Sequence, residues 1–264
     1  MLRLRVITAV IGLPLLVAAI WFGAPWFTVI VAAMAAIGSF EFYRMADNLN
    51  SQPLRIFGVV WTAALVISQH SRDSILVPLL VTLGIVIPAI WILIRRNRER
   101  AFISWTVTVA GILYIGWMMS WWVGLRTLEL GREWVFFGLF TTFANDTCAF
   151  FCGRAWGTRP LAPSISPAKT WQGAIGGGIA TIIAALALKA IFHLPSTYLQ
   201  ISLLGCLISI FAQLGDLLES LFKRNVGVKD SGKLLPGHGG ILDRIDSLIF
   251  TGFIVYYWVM LTHP

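Results

Sequence analysis

Apolar runs long enough to cross a bilayer recur along nearly the whole chain, and that pattern leaves few folds open to it. The runs 6–22, 75–94, 171–190 and 198–220 approach or exceed the roughly 18 to 20 residues that a helix needs to traverse a hydrocarbon core. Lipid offers the backbone no hydrogen-bond partner, so segments of this kind must be helices that satisfy their own amides. Composition agrees: 58% of the 264 residues are hydrophobic and 12% charged, about half the charged fraction of an ordinary soluble domain. The expected fold is an all-α, polytopic integral membrane helix bundle.

Polar and turn-forming breaks give about nine spans, near 6–22, 25–43, 56–69, 75–94, 102–125, 134–152, 171–191, 198–222 and 245–261. The 102–125 run is long for one crossing and holds Gly111, Gly116 and Gly124, so one tilted or kinked helix and two helices both remain open. Residues 1–22, with Arg3 and Arg5 before an apolar run, have the look of a signal peptide. No soluble domain follows, so they read as the first span. With the N-terminus inside, Arg72, Arg126, Arg132 and Lys189 lie outside and the other sixteen of the twenty Lys and Arg residues lie on the cytoplasmic side, the bias expected of membrane topology. The formal charge of +8 sits in short connections, which favours a bilayer over nucleic acid. Cys148, Cys152 and Cys206 lie in apolar stretches and are odd in number, so they read as small packing residues rather than a disulfide framework.

Content divides the chain into an N-terminal transmembrane anchor region, 1–133, and a catalytic transmembrane region, 134–264, with cytoplasmic loops at 153–170 and 223–244. In the first region every acidic residue except Glu41 sits in a connection. The second carries carboxylates within or at the ends of apolar runs, where a charge costs a few kcal/mol or more and by default marks function. In QLGDLLESLFKR, Asp216, Glu219 and Lys223 share one helix face by their spacing of three and four. A Glu219 to Lys223 salt bridge is an equally good reading of that pair, but leaves Asp216 unexplained. Asp243 and Asp246 are three apart at the start of the last span, and so point the same way. Opposite Asp216 they make a hard oxygen set that suits Mg²⁺ rather than zinc. Between them lies a basic loop with Lys223, Arg224, Lys229, Lys233 and five glycines, whose backbone amides are able to cradle phosphate oxygens.

The string SLFKRNVGVKDSGKLLPGHGGILDRID at 220–246 resembles the signature of the phosphatidate cytidylyltransferases, also called CDP-diacylglycerol synthases. Every fixed position of that signature is filled. NDTCAFFCGRAWG at 145–157 and SPAKTWQG at 166–173 are similar to two further motifs of the family. Ala168 stands where many members have lysine, and Phe150 where tyrosine is frequent.

The resemblance implies that the enzyme transfers the CMP moiety of CTP to phosphatidic acid, giving CDP-diacylglycerol and pyrophosphate in phospholipid biosynthesis. It implies Asp216, Asp243 and Asp246 as metal ligands, with Asp146 a further candidate, for one or two Mg²⁺ ions; a monovalent ion is also compatible. Lys223, Lys229 and His238 join the catalytic set, His238 as base, phosphate donor or loop support. Arg224, Arg244, Asp230, Gly239 and Gly240, with Ser166, Lys169 and Thr170 from the other loop, are assigned to substrate. The implied partners are CTP, phosphatidic acid and the lipid bilayer, with no nucleic acid and room for a homodimer. The implied place is the inner (plasma) membrane, with the active-site loops cytoplasmic. A transporter fits less well, because the acids are confined to one half. A CTP-dependent lipid-alcohol kinase lacks reason for the complete signature.

Overall fold

The computed structural model describes residues 2–49, 51–71, 75–95, 99–232, 234 and 239–263. Its helices are α1 (Leu2–Phe22), α2 (Trp26–Met45), α3 (Arg55–Ser68), α4 (Leu76–Ile94), α5 (Ala101–Gly111), α6 (Met118–Arg126), α7 (Gly131–Trp156), α8 (Trp171–Phe192), α9 (Tyr198–Asn225) and α10 (Leu242–Thr262). Among the described residues seven helices are long and apolar enough to cross a membrane, and the expected all-α membrane bundle is what the chain forms. The helix α3 has 14 residues and rises about 21 Å, short of the roughly 30 Å of a hydrocarbon core. The long run near 102–125 is one continuous helix: α5 passes into α6 through a π-helical stretch, Ile112–Trp117.

The chain divides into two compact units, 1–124 with 225–245, and 125–224 with 246–264. In the first, Tyr43 is fully buried and its hydroxyl donates to the Thr108 carbonyl at 2.9 Å. Gly58 and Gly111 flank its ring, and a Cβ at either position would strike it. Further polar links respect the membrane rule that buried donors find partners. Trp61 Nε1 donates to Leu80 O at 2.7 Å and Leu54 N to Thr108 Oγ1 at 3.0 Å.

In the second unit α7 and α8 lie against each other along small residues. A Cβ on Gly173 would stand 2.7 Å from Ala149 O, and one on Gly177 2.9 Å from Asn145 O, so the Gly-x-x-x-Gly at 173–177 is a close-packing stripe. Gly177→Val should overpack this contact by about 1–3 kcal/mol. The check is a thermal unfolding scan in detergent, which should show a melting temperature below that of the native chain; an unchanged value would mean the two backbones are free to part.

Between α7 and α8 the chain forms a small antiparallel hairpin, β1 (Pro160–Ala162) with β2 (Ser166–Thr170), paired Pro160 to Thr170 and Ala162 to Ser166. The sequence predicts no more here than a cytoplasmic loop over 153–170. The hairpin is tied at both ends. Thr170 caps α8 by accepting from Gly173 N at 3.2 Å, as a threonine at that position commonly does. Gln172 receives the Thr158 N–H at 3.2 Å. Arg224 Nε donates to Ile165 O at 3.2 Å, joining the end of α9 to the turn. The three cysteines are unpaired, as expected.

Candidate active site

Two features of the local sequence let a carboxylate set form in the second unit. Gly215 has no side chain, so α9 meets the backbone of Asp246 closely; a Cβ there would lie 3.2 Å from the Asp246 carbonyl carbon. Asp216 and Glu219 then follow on the same face of α9. Oxygens of Asp216, Glu219 and Asp246 all lie within 4.8 Å of one another. Asp246 Oδ1 accepts the N–H of Ser247 at 2.7 Å, which fixes the direction of its carboxylate.

Two lysines balance this charge. Lys169, on β2, places Nζ 2.5 Å from Asp216 Oδ2, and Lys223 places Nζ 2.6 Å from Glu219 Oε2. Both alternatives for the Glu219 and Lys223 pair therefore coexist: the salt bridge is present, and Glu219, fully buried, also joins the acidic set. Glu219 is the member that sequence reasoning did not assign to a metal. Its place on the Asp216 face was visible, but the salt bridge alone accounted for it.

Asp146, on α7, accepts from Asn145 Nδ2 at 2.9 Å. Asn145 itself is buried and is held by Ser209 Oγ at 2.7 Å and Gln213 Nε2 at 3.2 Å, so α9 orients the amide beside Asp146. A cavity of about 530 Å³ opens here, with Asp146, Arg154, Ser166, Lys169, Thr170 and Asp216 among its walls. Its remaining wall is largely apolar, with Phe150, Leu161 and Ala174. A space that joins an apolar wall to convergent ionic groups suits an amphipathic ligand with an anionic head. Arg154 and Asn145 are additions not assigned from the sequence, although both stand in the 145–157 string that is similar to a family motif.

In the first unit the end of the 223–244 loop is organised by Asp243. Its oxygens accept from Ser231 N at 3.0 Å and Gly240 N at 2.8 Å. Gly239 has φ +84°, a conformation that glycine adopts at no steric cost. Lys229, Asp230 and Arg244 are exposed. His238 and Lys233 lie outside the described residues. His263 accepts or donates a hydrogen bond with Ser196 Oγ at 2.7 Å, which ties down the end of α10.

A sequence profile described as the cytidylyltransferase family matches residues 3–262. A phosphatidate cytidylyltransferase of Bacillus subtilis (strain 168) is 32% identical over 98% of this chain and 98% of its own length. The phosphatidate cytidylyltransferase of Brucella suis biovar 1 is 33% identical over 97% of this chain and 92% of its own. Phosphatidate cytidylyltransferase 4, chloroplastic, of Arabidopsis thaliana is 34% identical over 98% of this chain and 73% of its own.

Proposed function

This chain belongs to the cytidylyltransferase family, and on that premise we propose that it makes CDP-diacylglycerol and pyrophosphate from CTP and phosphatidic acid. The observation that carries the reading is the cavity in the second unit. It sets Lys169 and Arg154 beside Asp146 and Asp216 and continues into an apolar wall, which suits a phosphate ester with acyl chains.

In the reaction an oxygen of the phosphatidic acid phosphate attacks the α-phosphorus of CTP. The new P–O bond forms as the bond to the bridging oxygen of pyrophosphate breaks, and the pyrophosphate keeps that electron pair. The attacking oxygen is already anionic, so no strong general base is required. Nucleotidyl transfer of this kind depends mainly on positioning and charge neutralisation. Lys169, at the cavity wall, neutralises and orients phosphate oxygens, and Arg154 supplies a second cation there. Thr170 and Ser166 offer hydroxyls beside it. Lys223, Arg224, Lys229 and Arg244 are assigned to phosphates by the resemblance.

The acidic set fits a hard divalent cation, since three carboxylates converge within 4.8 Å and already draw two ammonium groups to hydrogen-bond distance. Asp216, Glu219 and Asp246 would hold it, with Asp146 as a further candidate. Mg²⁺ bound there would lower the cost of charge building up on the transferring phosphate.

The test uses purified protein in detergent with phosphatidic acid, Mg²⁺ and CTP labelled at either the α- or the γ-phosphate. The expected product is lipid carrying the α label. Lipid labelled only from the γ position would make the enzyme a kinase and end this reading.

The protein sits in the plasma membrane with the 153–170 and 223–244 loops in the cytoplasm, a placement supported by the distribution of basic residues. In a background without native cysteines, an impermeant thiol reagent added to intact cells should modify a cysteine placed near Arg132 and spare ones near Arg159 and Lys229. Modification of the latter pair from outside would invert the topology.

A further inference from the structure

Glu41 is the one carboxylate of the first region that stands within an apolar run rather than in a connection, and none of the chemistry above uses it. It lies near the end of α2 and is 5% exposed. A buried carboxylate is costly unless hydrogen-bonded, and its partners come from about 190 residues further along. Oε2 accepts the N–H of Leu242, the first residue of α10, at 2.9 Å and the hydroxyl of Ser231 at 3.3 Å. Ser231 also gives its N–H to Asp243. One end of the signature loop is thus bound to the other through two carboxylates, Glu41 and Asp243, with Ser231 shared between them.

The neighbouring glycines are shaped to this carboxylate. A Cβ on Gly232 would lie 2.6 Å from Glu41 Cδ, and one on Gly240 would lie 2.5 Å from Glu41 Oε2. Any larger residue at either position would push the carboxylate off Leu242 or Ser231. Gly38, one helical turn before Glu41, meets the side chain of Ile245, whose Cδ1 would be 3.0 Å from a Cβ there. The end of α2 is therefore fitted to the start of α10 on both sides of the glutamate.

We infer that Glu41 is a positioning residue for nucleotide transfer: it clasps the neck of the signature loop, at Ser231 and Leu242, and so sets where Lys229, Gly240 and Arg244 stand. The inference rests on the cytidylyltransferase reading for its kinetic consequence, but the clasp itself has a separate readout. A carboxylate that takes a helix-terminal N–H and a hydroxyl makes charge-assisted hydrogen bonds, which are the stronger kind.

The experiment compares the full-length wild type with Glu41→Ala and Glu41→Gln in detergent. Each is assayed for CDP-diacylglycerol formation with CTP and phosphatidic acid varied in turn, and for hydrogen exchange in peptides covering 226–244. Glu41→Ala should raise KM for CTP about ten- to a hundredfold, the range expected for lost hydrogen bonds to a charged group. KM for phosphatidic acid should stay as it was, and the loop peptides should exchange faster. Glu41→Gln, whose carbonyl still accepts from Leu242, should recover most of the affinity. Kinetics of Glu41→Ala equal to wild type would overturn the inference. So would a lowered melting temperature with unchanged KM and unchanged loop exchange per folded molecule. If the wild type itself makes no CDP-diacylglycerol, the functional reading falls and the exchange data alone decide: faster exchange confined to the loop keeps the clasp, and unaltered exchange removes it.

Discussion

Asp246→Asn should reduce CDP-diacylglycerol formation by more than about a hundredfold, because losing even a group behind a metal ligand costs ten- to a hundredfold and this change removes one of three converging carboxylates. Asparagine keeps the size of the side chain and a carbonyl that is able to accept from Ser247 N, the bond that orients Asp246 at 2.7 Å. Expression, detergent extraction and melting temperature should therefore stay near wild type. The activity loss and the unchanged melting curve must be measured on the same preparation. Retention of more than about a tenth of the activity would take Asp246 out of the ion-binding set. Asp216→Glu offers a graded companion, since its longer arm keeps the charge and misplaces it; Mn²⁺ in place of Mg²⁺ should recover part of its turnover. Asp243→Asn should also be inactive, and it should carry an additional sign, loosening of the loop that Asp243 holds through Ser231 and Gly240.

The second large effect is expected at Lys169. Its ammonium lies 2.5 Å from Asp216 and faces the cavity, so it is placed to exchange that carboxylate for a phosphate oxygen when substrate enters. Lys169→Met should lower kcat/KM for CTP by about a hundredfold, the scale of a lost charge-assisted contact in a confined site, while Lys169→Arg should keep part of it. A lysine that only neutralised Asp216 would behave otherwise: its removal would depress the melting temperature and leave kcat/KM alone. Steady-state kinetics and a thermal scan on both variants separate these outcomes.

Much of this arrangement was legible in the sequence because lipid makes a simple rule for it. A run either satisfies the length and polarity of a span or does not, so the helices were found close to their limits. Asp216 stood out for the same reason, as a charge where charge is expensive. The hairpin at 160–170 was not legible. Pro160, Pro163 and Pro167 break any alternation of side chains, and the strands are held by Gln172, Arg224 and the capping Thr170 rather than by their own pattern. Glu41 shows the other limit. Its oddity was plain, but nothing local names partners at Ser231 and Leu242, since hydrogen bonds across such separations follow from packing alone. Glu219 was ambiguous because helical spacing to Lys223 is sufficient for a surface ion pair, and spacing says nothing of Asp246 arriving from another helix.

The π-helical stretch at Ile112–Trp117 gives this family member an unusual place to gain or lose length. A π turn holds one residue more than the α turn it interrupts, and it is framed by Gly111 against Tyr43 and Gly116 against Thr62. Deleting one residue inside it would remove that extra residue and restore a plain α-helix with the buried Trp121 and Trp122 still facing their packing, whereas a deletion in the regular part of the helix would turn them by about 100°. Chain-length changes ordinarily collect in loops. In a comparison across species, a single-residue gap falling inside this span would therefore mark the loss of the π turn, with the residues at 121 and 122 kept, rather than an error of alignment.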